Sequence, residues 1–380
     1  MKVLHVITGL GVGGAELQLR SILQHTRHQS DVVTLYNPGP VAEMITGDGG
    51  RVRDLGMTRN TELPALLRLT RLIRAGAYDV VHAHLYRSCI YGRLAARLAG
   101  TPVVVTTEHS IGETHLERRR MTLGVRALYL GTDLCSDATI AVSDAVAHRL
   151  TKWGVPARKI ELIPNGLDFN RVMFDAAARD KIRDEFSLPH DAYVIGVLGR
   201  LDPIKRFDLV IRAAAPLLDE AHRLLIVGDG QIRPELEAEA ARHGVAELVT
   251  FAGERHDVAA MLSSLDLFIA SSEQETFGLS VLEALSNGIP ALYTTCPALD
   301  GIETERARQV PGDVEGMRQE IAAEMAGGRR LRQGVPAIGE LYGIEAVTRR
   351  IDDLYERLMA VRSRARSHGR VLASSLGGNR

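Results

Sequence analysis

Short runs of apolar residues alternate with amphipathic stretches along most of the chain. In the first half, the segments between the runs repeat apolar residues at helical spacing, as in 62–74 and 88–98. Six buried strands are predicted there: Val3–Thr8, Val32–Tyr36, Val80–Ala83, Val103–Thr107, Thr139–Val142 and Ile160–Ile163. Strands that alternate with helices in this way form parallel sheets with helices packed on both faces.

A second series of strands begins after a break in the pattern. The turn-forming segment 164–168 is followed by 169–191, which is charged and alanine-rich and has no strand pattern. The strands predicted after it are Tyr193–Gly199, Arg223–Gly228, Leu248–Ala252, Leu265–Ala270 and Pro290–Thr294. We therefore predict an α/β protein of two Rossmann-like domains, 1–165 and 166–343, with a flexible Arg-, Ser- and Gly-rich tail at 362–380.

One stretch, 271–288, combines a strand end, a glycine and two carboxylates. Glu275 is predicted in the loop before a helix that begins near Gly278, and Glu283 in the first turns of that helix. A helix N-terminus favours an anion, and carboxylates accept hydrogen bonds from hydroxyl groups, so the stretch suits a ligand with a phosphate and a sugar. Alternatively, Ser280 and Glu283 form a capping box, in which Glu283 binds backbone instead of ligand. Both interpretations remain open at this point.

Composition narrows the class of protein. The formal net charge of −1 over 380 residues gives no reason to expect a nucleic-acid partner. The 3 cysteines are widely spaced, which favours neither a disulfide framework nor a zinc site. No apolar run approaches the ~18 residues that span a bilayer, and the chain enters a strand with no signal-peptide pattern. We expect a cytoplasmic protein.

A glycine-rich loop follows the first predicted strand. Gly9, Gly11 and Gly14 match the dinucleotide-binding spacing, but the acid that such a site needs at the end of the second strand is missing, since Asp31 precedes that strand. The nicotinamide interpretation is therefore disfavoured. A loop in which a ligand lies against backbone at a helix N-terminus remains, as does a simple tight turn.

Three histidines follow strands of the first half. His82 and His84 share one face of a strand and could bind a metal ion, but no third ligand is evident in the sequence. His109 follows the next strand, either as a site residue or as a hydrogen-bonded structural histidine. We predict no metal ion at these residues.

Two cations follow the first strand of the second half. Arg200 supplies a planar fork and Lys205 a compact charge, a pair suited to a diphosphate, although both could be solvated loop charges. No Asp-x-Asp triplet occurs in the chain, so we expect side-chain cations and helix termini to neutralise a diphosphate without a divalent ion.

Taken together, these residues resemble the retaining, nucleotide-sugar-dependent glycosyltransferases of family 4, which have the GT-B fold of two Rossmann-like domains facing a cleft. The resemblance runs from about residue 1 to 360. It rests on the order and spacing of Gly-Gly-Ala-Glu (13–16), His-x-His (82–84), Thr-Glu-His (107–109), Pro-Asn-Gly-Leu-Asp (164–168), Gly-Arg-Leu…Lys (199–205), Val-Gly-Asp-Gly (227–230) and Glu-x7-Glu (275–283).

The resemblance implies a role for each matching position in the first domain and for the two cations, Arg200 and Lys205. Gly13 and Gly14 would lie against the donor's sugar and phosphates, and His109 would stand beside the reacting anomeric carbon. Arg200 and Lys205 would hold the diphosphate and stabilise it as it leaves.

The same resemblance implies roles for the 275–283 stretch. Glu275 would bind the donor sugar's hydroxyls, helped by the backbone of Phe277, Gly278 and Leu279. Glu283 would take the ribose hydroxyls. The family also sends a C-terminal helix, here about 344–361, back to the first domain.

The implied function is transfer of a hexose from a UDP- or GDP-sugar, with retention, to a saccharide or lipid-linked saccharide, without a further cofactor. Arginines at 118–120 could touch a membrane that carries the acceptor, or could be a solvated helix face. Two rivals stay open: a GT-B sugar-nucleotide epimerase and a non-catalytic sugar-nucleotide-binding protein.

Overall fold

The computed structural model describes residues 1–59, 61–109, 111, 115–116, 119–120 and 122–376. The chain packs as two units: the first contains Met1–Gly166 and the chain from Ile344 onward, and the second is Leu167–Gly343. Within the described ranges, no helix combines the length and apolarity needed to cross a membrane. Arg118, one of the arginines at 118–120, lies outside the described residues.

The described residues of the first unit form a seven-stranded parallel sheet with strand order β3-β2-β1-β4-β5-β8-β9. Its strands are β1 (Lys2–Ile7), β2 (Gln29–Thr34), β3 (Arg51–Asp54), β4 (Val80–His84), β5 (Val103–Glu108), β8 (Ala138–Ala141) and β9 (Ile160–Leu162); β6 (His115–Leu116) and β7 (Arg119–Arg120) form a separate antiparallel pair. Because every strand in this sheet is parallel to its neighbours, their carboxyl ends meet at one edge.

Helices cover both faces of the first sheet. They are α1 (Gly14–His25), α2 (Gly39–Gly47), α3 (Leu63–Gly76), α4 (Tyr86–Ala99), α5 (Leu123–Asp133), α6 (Asp144–Trp153) and, from the end of the chain, α14 (Ile344–Leu376). One apolar core contains Leu69 of α3 and Cys89 of α4 against the strands. The opposite core contains Ile22 of α1 and Ile351 of α14 against alternate strand residues.

In the second unit the described residues form a six-stranded parallel sheet with order β12-β11-β10-β13-β14-β15. The strands are β10 (Tyr193–Leu198), β11 (His222–Val227), β12 (Val249–Gly253), β13 (Leu267–Ala270), β14 (Ala291–Tyr293) and β15 (Ala307–Gln309). The helices are α7 (Ala176–Glu185), α8 (Phe207–Ala214), α9 (Arg233–Arg242), α10 (Val258–Ser263), α11 (Leu279–Ser286), α12 (Val314–Ala326) and α13 (Pro336–Tyr342). The predicted fold class, two Rossmann-like α/β domains, is confirmed.

Among the described residues, the sheet-edge strands β3 and β15, the short β6–β7 pair and the helix α7 were not predicted. The strands β3 and β15 lie at sheet edges and are mostly exposed, so they lack the apolar run that marks a buried strand. The helix α7 lies in the stretch without a strand pattern, where the Asp175 carboxylate caps it by accepting from the backbone N–H groups of Ala177 and Ala178. At the chain end, α14 continues past 361, with helical backbone as far as Leu376.

Glycine packing sets the position of the loop that carries Arg200. Gly228, which follows β11, has a φ of +137°, and a Cβ atom there would lie 2.0 Å from the carbonyl oxygen of Gly199. At Gly230 a Cβ atom would lie 2.2 Å from the carbonyl oxygen of Leu201. The loops after β10 and β11 therefore touch backbone to backbone, which only glycine permits.

We expect Gly228→Ala to destabilise the second unit by about 3 kcal/mol or more, because backbone strain adds to a backbone clash. Thermal unfolding measures the loss. Gly244→Ala is the matched control, since Gly244 also has a positive φ, +71°, but nothing lies within 4 Å of its added Cβ. Equal effects of the two substitutions would show that the contact between the loops contributes nothing.

Candidate functional site

The second sheet places its candidate site residues where the strand order reverses. β10 lies between β11 and β13, so the chain moves away in opposite directions from β10, and ligands bind outside the strand ends at such a point. The loop after β10 carries Lys205 and the loop after β13 carries Glu275. The Lys205 Nζ atom lies 2.8 Å from the Glu275 Oε2 atom, with both side chains about four-fifths buried.

Backbone contacts hold these two loops together. The Ser271 hydroxyl donates to the Lys205 carbonyl over 2.7 Å, and the Glu273 N–H donates to the Ile204 carbonyl over 2.9 Å. Arg200 is more exposed, and its Nε atom lies 3.6 Å from a carboxylate oxygen of Asp202. The positive charges of this loop therefore lie at the strand ends, with Lys205 the more buried of the two.

The helix α11 begins at Leu279 with Gly278 as its N-cap residue. Gly278 has a φ of +97°, and a Cβ atom there would lie 2.4 Å from the Cys296 sulfur. The buried Phe277 is held by its carbonyl, which accepts from the Ala298 N–H over 2.8 Å, and by its ring, which packs edge-on against Tyr342. The first turn of α11 is thus fixed against the segment after β14.

The capping-box alternative for Glu283 is wrong. Because Gly278 is the N-cap residue, Ser280 lies inside the helix and cannot cap it. The Glu283 carboxyl has no hydrogen-bond partner among the described residues, and burial raises its pKa to about 7. A largely buried carboxyl without a protein partner is suited to ligand hydroxyls.

In the first unit, the glycine-rich loop leads directly into α1. Gly13 is the N-cap residue and Gly14 the first helical residue. A Cβ atom at Gly13 would lie 2.5 Å from a carboxylate oxygen of Glu16, whereas one at Gly14 would meet nothing within 4 Å. Gly14 therefore leaves open space at the helix N-terminus, where an anion is favoured.

The first sheet also brings four histidines together on the face that α1 and α14 cover. His5 of β1 pairs in register with His82 of β4, and the rings of His82 and His84 are 4.0 Å apart. The His5 Nδ1 atom lies 3.1 Å from the His84 Nε2 atom, and the His84 Nδ1 atom lies 3.4 Å from the His109 Nε2 atom. Sequence reasoning missed His5, although a polar residue within an otherwise apolar buried strand was the available signal.

Hydrogen bonds occupy both ring nitrogens of His82, the central histidine of this group. The two ring nitrogens of His82 lie 2.5 Å from the Tyr355 hydroxyl and 2.6 Å from the Thr107 hydroxyl. His5, His82 and His84 could offer a metal ion three nitrogens, all within 4.8 Å of one another. Because both nitrogens of His82 already pair with hydroxyls, the geometry favours a hydrogen-bonded cluster over a metal site.

Burial keeps these histidines neutral. Desolvation lowers the pKa of His5 to about 3 and that of His109 to about 4, although a hydrogen bond with Asn165 raises the latter. The pKa values of His82 and His84 are also lowered by burial and by the neighbouring rings. Near neutral pH, His109 is therefore an uncharged hydrogen-bonding ring.

The predicted site residues are divided between the two units. Gly13, Gly14 and His109 belong to the first unit, and the cations and carboxylates from Arg200 to Glu283 belong to the second. Lys205 and Glu275 are brought into contact within the second unit. Each unit thus presents its candidate residues after the carboxyl ends of its strands.

Comparison with known proteins agrees with this arrangement. Residues 12–171 match the family model Glycosyltransferase Family 4, and residues 192–325 match Glycosyl transferases group 1. A D-inositol 3-phosphate glycosyltransferase of Salinispora arenicola (strain CNS-205) is 30% identical over 314 residues, which are 72% of this chain and 68% of that enzyme.

Two further proteins are informative. The UDP-Gal:alpha-D-GlcNAc-diphosphoundecaprenol alpha-1,3-galactosyltransferase of Escherichia coli is 29% identical over 240 residues, 61% of this chain and 62% of that enzyme. The crystal structure of Anabaena Alr3699/HepE in complex with UDP-glucose superposes with a TM-score of 0.83 at 20% identity, over 94% of this chain and 100% of that one. At that identity the superposition shows a shared fold.

The histidine cluster predicts a loss of stability in mild acid. The histidines titrate near pH 6.5 when unfolded but well below that when folded, so the unfolded state takes up more protons as the pH falls below 6.5. Each buried histidine then lowers the free energy of unfolding by about 1.4 kcal/mol for every pH unit, until the pH reaches the histidine's folded pKa. Denaturant unfolding between pH 7.5 and 5 measures the slope.

His84→Gln should reduce this slope by about 1.4 kcal/mol per pH unit, because one fewer histidine then takes up a proton on unfolding. His190→Gln is the control, because His190 is exposed and a hydrogen bond to Asp184 raises its pKa. Stability that stays constant from pH 7.5 to 5 would contradict the buried neutral cluster.

Proposed function

This chain belongs to glycosyltransferase family 4 and has the GT-B fold, and from that premise we propose that it transfers a hexose from a UDP- or GDP-sugar to a saccharide or lipid-linked saccharide with retention of configuration. Family membership establishes glycosyl transfer. We propose in addition the donor, the class of sugar and the stereochemistry of the reaction. Polysaccharide or glycoconjugate biosynthesis is the process that such a reaction serves.

The observation that carries the proposal is the Lys205–Glu275 pair at the strand-order reversal of the second sheet. A nucleotide diphosphate sugar presents a dianionic diphosphate beside two sets of hydroxyls. Lys205 and Arg200 supply positive charge for the first, and Glu275 and Glu283 supply acceptors for the second. Few classes of ligand need both cations and carboxylates at the carboxyl ends of the same strands.

The roles follow from this chemistry. Lys205 and Arg200 stabilise the diphosphate as charge grows on it, while Glu275 orients the sugar hydroxyls. Glu283 takes the ribose hydroxyls at the start of α11. The backbone of Phe277, Gly278 and Leu279, held rigidly against the Cys296 segment, presents N–H groups to the donor.

Within the first unit, the proposal assigns roles to Gly13, Gly14 and His109. Gly14 leaves room for a ligand at the N-terminus of α1. His109 keeps the role that the resemblance implies, and its lowered pKa means that it acts as a neutral ring instead of a proton acceptor. The proton of the acceptor hydroxyl then passes to the leaving phosphate oxygen, while the anomeric carbon exchanges one C–O bond for another on the same face.

Named relatives support the substrate classes. Alr3699/HepE was crystallised with UDP-glucose, and the Escherichia coli enzyme is named for a UDP-galactose donor and a diphosphoundecaprenol-linked acceptor. A lipid-linked acceptor would place this enzyme at the cytoplasmic face of a membrane as a peripheral protein. No cofactor beyond the donor enters the proposed reaction.

A panel of UDP- and GDP-sugars with purified protein tests the proposal. We expect free nucleoside diphosphate only when acceptor is present, and a product with the donor's anomeric configuration by NMR. Lys205→Met should weaken donor binding about tenfold to a hundredfold, since a charge-assisted hydrogen bond contributes roughly 1.5–3 kcal/mol. Lys181→Met, an exposed lysine of α7, is the control.

Interconversion of donor epimers would instead show an epimerase, and binding without turnover over many acceptors would show a non-catalytic protein. Wild-type donor affinity in Lys205→Met would remove Lys205 from the diphosphate site.

Glu283→Gln separates a ligand contact from a structural role. The folded pKa of Glu283 lies above the unfolded value, so its carboxyl costs stability as the pH rises from 4.5 to 7. At pH 8 the ligand-free variant should therefore be more stable by on the order of 1 kcal/mol. The extra stability conferred by added nucleoside diphosphate should shrink.

Thermal unfolding with and without nucleoside diphosphate measures both effects. Glu273→Gln, an exposed glutamate of the same loop, should change neither quantity. A less stable free protein that gains as much from nucleotide as the wild type would contradict the ribose assignment.

A further inference from the structure

Tyr342, the last residue of α13, contacts the loop that precedes α11 through its side chain. Its hydroxyl donates to the Ala298 carbonyl over 2.7 Å, and its ring packs edge-on against Phe277 with the two ring centroids 5.3 Å apart. The Ala298 N–H in turn donates to the Phe277 carbonyl over 2.8 Å. Because Phe277 lies directly before the N-cap residue of α11, these three residues form one hydrogen-bonded contact at the start of that helix.

The backbone of Tyr342 lies where the chain enters and leaves the second unit, which runs from Leu167 to Gly343. The Tyr342 carbonyl accepts from the Leu167 N–H over 2.7 Å, and Leu167 forms a parallel bridge with Gly343. On the first unit's side the same two passages of chain also touch, since a Cβ atom on Gly166 would lie 2.9 Å from the Cα atom of Ile344. The two passages of chain therefore run side by side.

We propose that Tyr342 is a positioning residue that couples the loop before α11 to these two chain passages, so that a donor bound at the start of α11 also restrains the passages. One residue makes both sets of contacts, through its ring and hydroxyl on one side and through its carbonyl on the other. A tyrosine side chain is rigid, so a displacement at one end reaches the other. The inference rests on the proposed function for the position of the donor, whereas the contacts of Tyr342 do not depend on it.

The hydroxyl distinguishes this coupling from simple packing. Phenylalanine at position 342 would fill the same space and keep the edge-on contact with Phe277, but it would remove the donor to the carbonyl of Ala298, which is buried. A buried carbonyl that loses its donor is destabilised. We therefore expect the loop and the chain passages to open together in the wild type and separately in Tyr342→Phe.

Amide hydrogen exchange of the ligand-free protein measures this coupling at two reporters, the Ala298 and Leu167 N–H groups. In Tyr342→Phe both amides should exchange about tenfold faster than in the wild type, because one lost hydrogen bond to a buried group deprives each region of the support of the other. An unchanged rate at either reporter would overturn the coupling.

The same two amides test the link to the donor. Addition of UDP or GDP should slow exchange at Ala298 and Leu167 in the wild type, but only at Ala298 in Tyr342→Phe. Amides of β10 report the global stabilisation that any ligand confers, which the slowing at the reporters must exceed. Equal slowing at Leu167 in both proteins, or none at Leu167 in either, would overturn the coupling. If neither nucleotide binds the wild type, the proposed donor site fails, and exchange in the ligand-free protein still decides the role of Tyr342.

Tyr193→Phe is the matched control. Tyr193 is a buried tyrosine of the same unit and lies at the start of β10, at the opposite end of that strand from the loop that carries Lys205. Removal of its hydroxyl should leave exchange at Ala298 and Leu167, and the response of both amides to nucleotide, as in the wild type. Changes equal to those of Tyr342→Phe would assign the effect to a general loss of stability and overturn the specific role of Tyr342.

Discussion

The candidate site of the second unit is built around one ion pair, between Lys205 and Glu275, at the point where the strand order reverses. The two side chains come from loops that follow neighbouring strands, β10 and β13, and the loops are bonded to each other through backbone groups. A cation held against a carboxylate is preorganised at little entropic cost, because the surrounding hydrogen bonds have already ordered both loops. Arg200, Gly278 and Glu283 take their positions from the same loops.

A different constraint governs the first unit, where burial keeps the histidine rings uncharged. Four histidine rings share a buried face of the sheet with apolar residues of α1 and α14. Because desolvation disfavours the imidazolium form, the rings must satisfy one another and nearby hydroxyls as neutral donors and acceptors. Such a cluster orients a ring well and accepts a proton poorly, which is compatible with the proposed transfer of the proton to the leaving phosphate.

The parallel sheets were predictable because a strand buried on both faces shows as an apolar run in the sequence alone. The central strands, such as β4 and β13, lie within a few residues of their predicted ranges. The edge strands β3 and β15 were missed, since an edge strand is half exposed and its pairing, not its composition, makes it a strand. The extension of α14 beyond 361 was missed for a related reason, because that segment is polar and carries no helical apolar stripe.

The sequence by itself determined which chemical groups follow each strand, because the alternation of strand and helix is local and a parallel sheet gathers its carboxyl ends at one edge. Glu275, Lys205 and His109 could be singled out on that basis. Only the tertiary structure decided which of them meet. The Lys205–Glu275 contact joins residues 70 positions apart, and the contact between the His5 and His84 rings joins residues 79 positions apart. Burial, hydrogen-bond partners and pKa values depend on neighbours brought in from distant parts of the chain, so no local pattern can specify them.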